Sequence, residues 1–292
     1  MTDPATVLLA DGAAEATLSA VGAELLGWRV GDRDLLWHGD PAHWEFRAPI
    51  LFPVVGESTG GRVRVDGRSY PMPRHGFVRP ARFEIVSAAP AEARLRLVDS
   101  AATREHYPFA FALDVVAKLA EMDLALAFEV ENRDRRPLPY QVGWHPAFPW
   151  PFDGGAREEY RIVFERAEVP LVPRITEAGL LTRPERPIPL DGNRLPLSSA
   201  LFARNALVFL DAASRRLAFE APSGAAIEME VEDFPHFALW TKPTAPFLSI
   251  EAWTGHADLD GSAGDLAERA SIRLLAPGAR ARHTVRLRWR PA

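Results

Sequence analysis

The stretch FAFALDVVAKLAEMDLALAFEV, residues 109–130, alternates in hydrophobicity with a period of two on either side of a short break. Phe109, Phe111, Leu113, Val115 and Ala117 share one parity; Leu124, Leu126, Phe128 and Val130 share another after Glu121-Met122-Asp123. Successive side chains of an extended strand point to opposite faces, so each half presents one apolar face and the whole reads as a hairpin of two long strands.

The same pattern spreads outward from this hairpin. Arg62-Val63-Arg64-Val65 precedes Asp66-Gly67, a dipeptide suited to the tight turns between antiparallel strands, and Arg68-Ser69-Tyr70 begins the return. Residues 83–86 pair in pattern with 93–98, and 217–220 with 227–231 across Pro222-Ser223-Gly224; residues 283–289 form a last strand. Sustained helical periodicity is hard to find, and 26 prolines remove strand donors and break helices, which forces loops or sheet edges at 146–151 and 184–189. The expectation is an all-β, antiparallel protein with little helix, residues 1–292 forming a single β-sandwich domain. Residues 170–196 are read as a linker or an excursion from it, and 41–44 and 264–269 as candidate short helices.

Composition narrows the function. A hydrophobic fraction of 47% and a charged fraction of 25% suit a globular chain, and a net charge of −5 without long single-sign runs argues against nucleic acid or an anionic membrane surface as partner. The absence of cysteine removes thiol nucleophiles and thiolate metal sites, leaving oxygen and nitrogen groups for any catalysis. No basic stretch feeds an apolar one after Met1, and no run approaches the roughly 18 apolar residues of a spanning helix, so a soluble, cytoplasmic protein is expected.

Three segments set ionisable groups among glycine, proline and aromatic residues: residues 73–79 around His75, 143–148 around His145, and 248–255 around Glu251. Each alone reads more readily as structure. A histidine beside glycine is commonly solvated, and if Ile250 faces a core then Glu251 simply faces the other way. Together, two imidazoles and a carboxylate suffice for paired general acid and base work near neutral pH. Arg47, Arg74 and Arg79 flank these segments, and the rigid donor fork of a guanidinium suits sugar hydroxyls or a phosphate. Trp144, Phe148, Trp240 and Trp253 are stacking surfaces for a sugar or else core residues.

These blocks, with Gly22-Ala23-Glu24-Leu25 and Arg47-Ala48-Pro49-Ile50-Leu51-Phe52-Pro53 before them, resemble the aldose 1-epimerase (galactose mutarotase-like) family over nearly the whole chain. The bacterial branch that includes hexose-phosphate-related members is the part most resembled. The resemblance implies a β-supersandwich whose cleft holds a pyranose and uses no metal or organic cofactor. It implies His145 as the acid toward the ring oxygen, Glu251 as the base toward the anomeric hydroxyl, and His75 as a bond to the sugar near the ring oxygen. It also places Asn205, with Asp211 nearby, where the family carries a hydroxyl-binding aspartate. An ionised Glu251 and a protonated His145 are expected to support one another's charge.

The expected activity is interconversion of the α and β anomers of a hexose or hexose phosphate, with a small sugar as partner and the protein a monomer or homodimer. The alternative is a carbohydrate-binding or sugar-sensing protein that keeps the cleft without chemistry. A metal site built on the two histidines and the glutamate is weaker, because no short-spaced ligand pair is present.

Overall fold

The computed structural model describes residues 5–292, and its centre is the hairpin read above. Strand Phe111–Ala120 pairs with Asp123–Asn132 in register from Phe111 opposite Asn132 to Ala120 opposite Asp123. This hairpin lies inside a nine-stranded antiparallel sheet. In spatial order its strands are Arg194–Pro196, Arg161–Phe164, Arg216–Glu220, Ala226–Glu232, Arg280–Arg290, Asp123–Asn132, Phe111–Ala120, Glu92–Val98 and Glu84–Ala89. The inner parity, including Leu113, Val115, Leu126, Phe128 and Val130, is wholly buried.

Against that face packs a second antiparallel sheet, here called the site sheet, ordered Leu207–Phe209, His236–Trp240, Phe247–Trp253, Gly143–Trp144 and Ile50–Leu51. The short strand Ala147–Pro149 also pairs with Phe247–Trp253. Leu248, Ile250 and Ala252 point from the central strand into the shared core with Trp144, Leu239 and Ile50. Phe128 of the large sheet meets Trp144 of the site sheet at 6.5 Å between ring centroids, which marks the sandwich contact.

This register fixes which face carries chemistry. A slip of one residue would turn Leu248 and Ile250 out of the core, each losing about 1.5–3 kcal/mol of burial, and would drive Glu251 into apolar surroundings. Phe247, Ser249, Glu251 and Trp253 are therefore held on the opposite face.

The excursion at residues 170–196 proves to be structured. Leu171–Ile175 pairs with Leu181–Pro187 as an irregular two-stranded ribbon, which tolerates Pro184 and Pro187 because it joins no larger sheet. Its tip returns to the molecule, where a side chain at Gly179 would meet Arg74 Nη2 at 2.9 Å. Residues 41–44 form a turn rather than a helix, with the His43 and Trp44 N–H groups both donating to the Asp40 carbonyl. Residues 264–269 contain one 3-10 turn, Leu266–Glu268, capped by Asp265. Among the described residues, no helix is long and apolar enough to cross a membrane.

Candidate active site

The central strand of the site sheet sets a stripe of side chains at every second residue. At one end Phe247 packs with Trp37, Trp44 and Trp240; at the other Trp253 packs with Leu51, Val55 and Ala238. Ser249 and Glu251 lie between these two apolar clusters, and both are buried. The Trp253 indole N–H donates to Glu251 Oε2 at 3.0 Å. Gly143 on the neighbouring strand makes room for that indole, since a Cβ there would lie 3.0 Å from the Trp253 ring and 3.0 Å from Leu51.

His145 follows the Gly143–Trp144 strand and is anchored by its N–H to the Pro49 carbonyl at 3.0 Å. Its Nε2 stands 3.2 Å from Glu251 Oε1. Its Nδ1 is 2.8 Å from Ser249 Oγ, which in turn lies 2.9 Å from the Pro146 carbonyl oxygen. Trp44 and Trp240 wall the imidazole at 4.9 and 5.7 Å between ring centroids.

His75 reaches the same place from a distant loop, its ring 5.9 Å from that of His145 and nearly perpendicular to it. Its backbone is left-handed, φ 66°, with its N–H bonded to the Gly56 carbonyl at 2.8 Å. The glycine after it is obligatory: Gly76 has φ 78°, and a Cβ there would lie 1.9 Å from the Phe52 carbonyl oxygen. His75 Nδ1 accepts the Gly56 N–H at 3.0 Å, so the ring proton of the neutral imidazole resides on Nε2. Burial, then the cations Arg79 and Arg74 and the neighbouring His145, hold His75 well below the usual imidazole range. It is a fixed, neutral hydrogen-bond donor.

Burial opposes the charge states expected from sequence for Glu251 and His145. Burial pushes the Glu251 carboxyl well above the ordinary carboxylate range, against the Trp253 N–H and the Arg79 charge. Burial likewise pushes His145 well below the ordinary imidazole range, with Arg79 acting in the same direction. Desolvation thus opposes the charged form of each group, and the 3.2 Å contact lets the two share one proton.

The other predicted residues divide by location. Arg79 belongs to the cluster: its charge reaches His75, His145 and Glu251, its guanidinium lies 5.1 Å above the Phe46 ring, and its buried Nε has no partner among the described residues. Arg74 lies on the exposed rim, paired with Glu57 at 2.8 Å. Arg47 is a correction, because its guanidinium turns back to the Leu26 carbonyl and its backbone N–H donates to Glu24 Oε1, tying it to the strand Leu25–Val30 and the residue before it.

Trp144 is a second correction. Its indole points into the core and donates to the Ala48 carbonyl at 3.0 Å, since its strand neighbour Gly143 takes the site face; Phe148 likewise joins the core. Asn205 sits in an exposed left-handed turn, φ 78°, with its Oδ1 accepting the N–H of Ala206, and Asp211 is exposed beside the buried His236. Among the described residues, neither forms a hydrogen bond or ion pair with His75, His145 or Glu251. Two residues of the site went unread: Trp44, mistaken for part of a helix, and Ser249, whose signal was its same-parity spacing from Glu251. Among the described residues, no three His, Asp or Glu side chains are grouped to hold a metal ion.

Two packed antiparallel sheets with an imidazole–carboxylate pair on the outer face of one define a galactose mutarotase-like β-sandwich. The family model for aldose 1-epimerase matches residues 5–288, and the chain belongs to that family. Protein LacX (chromosomal) of Lactococcus lactis subsp. lactis is 30% identical over 240 residues, covering 77% of this chain and 80% of that protein. Among solved structures, a galactose mutarotase-like protein from Lactobacillus casei superimposes with a TM-score of 0.91 at 25% identity, covering 98% of this chain and 100% of its own. A galactose mutarotase related enzyme from Lactobacillus acidophilus gives a TM-score of 0.88 at 24% identity, covering 98% of each chain.

Proposed function

We propose that this protein is an aldose 1-epimerase that interconverts the anomers of a hexose or hexose phosphate, and that His145, Glu251 and His75 perform the chemistry. The observation that carries the reading is the 3.2 Å contact between His145 Nε2 and Glu251 Oε1, a donor and an acceptor spaced to serve two neighbouring oxygens of one pyranose.

With the sugar bound, the productive state places the shared proton on His145 Nε2 and leaves Glu251 as carboxylate. Glu251 takes the proton of the anomeric hydroxyl, the electrons of that O–H bond form the carbonyl, the C1–O5 bond breaks, and O5 takes the proton from His145. The open aldehyde rotates about C1–C2, and the same transfers in reverse close the other anomer. Proton count and oxidation state are unchanged, so the balance calls for no co-reactant. Each transfer by a positioned group contributes about 10²- to 10⁴-fold. His75, whose only available proton is on Nε2, donates to the ring oxygen and holds it toward His145. Trp44 and Trp240 supply an apolar wall for the ring face.

Arg79 favours a phosphorylated substrate. Its charge acts on His75, His145 and Glu251 together, and its buried Nε is unpartnered among the described residues, which supports an anionic group on the bound sugar. Polarimetry on freshly dissolved α-glucose, α-galactose and their 6-phosphates tests the proposal. Accelerated mutarotation that Glu251→Gln abolishes supports it, and Arg79→Gln raising KM for the 6-phosphate more than for the free sugar supports the phosphate. Saturable sugar binding in calorimetry without turnover on any of the four would instead establish the binding-protein alternative.

A further inference from the structure

Ser249 is wholly buried in a strand whose neighbouring residues are Leu248 and Ile250, a place where alanine would fit without the cost of desolvating a hydroxyl. Its Oγ makes two short contacts, 2.8 Å to His145 Nδ1 and 2.9 Å to the Pro146 carbonyl oxygen. A hydroxyl carries one proton, and a carbonyl oxygen only accepts. If the hydroxyl donated to Nδ1, the contact with Pro146 would be oxygen against oxygen with no proton between them. Only one assignment turns both contacts into hydrogen bonds: the hydroxyl donates to Pro146, and Nδ1–H donates to the hydroxyl. The Pro146 carbonyl also accepts the Ile250 N–H at 3.0 Å, so both of its lone pairs are used and the arrangement is closed.

We propose that Ser249 is a positioning residue that locks His145 in the Nδ1–H tautomer, so that Nε2 alone exchanges a proton during the reaction. This rests on the acid–base reading of the site. Because Pro146 follows His145 directly, the ring is tied through one hydroxyl to its own backbone, which fixes its rotation as well as its tautomer. The two histidines are thereby set in opposite states by their partners. Gly56 N–H makes His75 Nδ1 an acceptor and its Nε2 a permanent donor, whereas Ser249 makes His145 Nδ1 a donor and leaves its Nε2 to face Glu251. A neutral hydroxyl in this position, unlike a carboxylate, orients the imidazole without strengthening its hold on the Nε2 proton.

The test is nitrogen NMR on protein carrying ¹⁵N-labelled histidine, with the His145 signals assigned by their loss in His145→Gln, alongside polarimetry. In the wild type the neutral His145 ring is expected to carry its proton on Nδ1 and His75 on Nε2; an Nε2–H tautomer at His145 would overturn the proposal. Ser249→Ala is expected to lose the fixed Nδ1–H signal and lower kcat by about 10- to 100-fold with KM nearly unchanged. Ser249→Thr, which keeps a hydroxyl, is expected to restore both. Ser249→Ala with wild-type kcat and an unaltered tautomer would refute the role. Because the wild-type tautomer is read without substrate, a protein that turns over no sugar yet shows Nδ1–H at His145 refutes the proposed function and leaves the Ser249 assignment standing.

Discussion

Trp253 holds Glu251 from two residues along the same strand face, donating its indole N–H to Oε2 at 3.0 Å while Oε1 faces His145. One carboxylate oxygen is thus fixed by the sheet and the other is left for the proton. Trp253→Phe keeps the apolar contact and removes only the donor. It is expected to raise the Glu251 pKa further, because the opposing hydrogen bond is gone, and to lower kcat by about tenfold, the effect of one hydrogen bond to a charged group. Polarimetry across pH reads both effects.

The rate should have a plateau bounded by two limbs that belong to the pair. Below the acid limb His145 and Glu251 hold two protons and no base remains; above the alkaline limb they hold none and no acid remains. Burial lowers the first of these steps below the ordinary imidazole value and raises the second above the ordinary carboxylate value. Arg79 lowers both, so Arg79→Gln is expected to move both limbs to higher pH.

Glu251→Gln should separate stability from activity. A carboxyl whose pKa is raised by folding contributes stability below its unfolded pKa and loses that contribution as pH climbs through the folded value. Near neutral pH the variant is therefore expected to show a Tm equal to or above that of wild type in thermal denaturation, while mutarotation falls by about 10²-fold or more.

Two tryptophans near the site should respond oppositely. Trp144→Ala opens the shared core and is expected to cost about 3–5 kcal/mol in denaturant titrations, through a cavity where the indole met Phe128 and Ala48. Trp44→Ala, at a half-buried wall 4.9 Å from His145, is expected to cost far less stability and to raise KM severalfold.

Gly76→Ala places a methyl group 1.9 Å from the Phe52 carbonyl and forces alanine into a left-handed backbone. The loop carrying His75 must shift to accept it. A loss of about 2 kcal/mol or more is expected, with kcat lowered because His75 Nε2 moves with the loop. Ala at Gly67, where the same φ sign occurs but no atom lies within 4 Å, is the control and should affect only stability.

The strands were legible because alternation is a local property. Residues 109–130, 62–70 and 217–231 each carry their own pairing partner a turn away, and Asp66-Gly67 supplies the positive φ values, 50° and 75°, that its turn requires. The parity of Ile250 against Glu251 was equally plain. Residues 41–44 misled because proline, alanine and tryptophan carry a weak helical signal, whereas Asp40 turns the chain with its carbonyl. Arg47 and Trp144 misled because closeness in sequence to a site residue does not say which way a side chain leaves the backbone.

The order of apolar and polar residues, by itself, determined that this chain builds antiparallel strands and that Glu251 stands on the face opposite Ile250. The same order singled out the segments around His75 and His145. Only the tertiary structure decided that this opposite face is also covered, by Trp44, Trp240 and the His75 loop, so that His145 and Glu251 are both desolvated. The reason is physical: a side chain's direction follows from the two peptide units beside it, but its dielectric surroundings and its proton are set by segments that approach from about a hundred residues away, as Ser249 does His145.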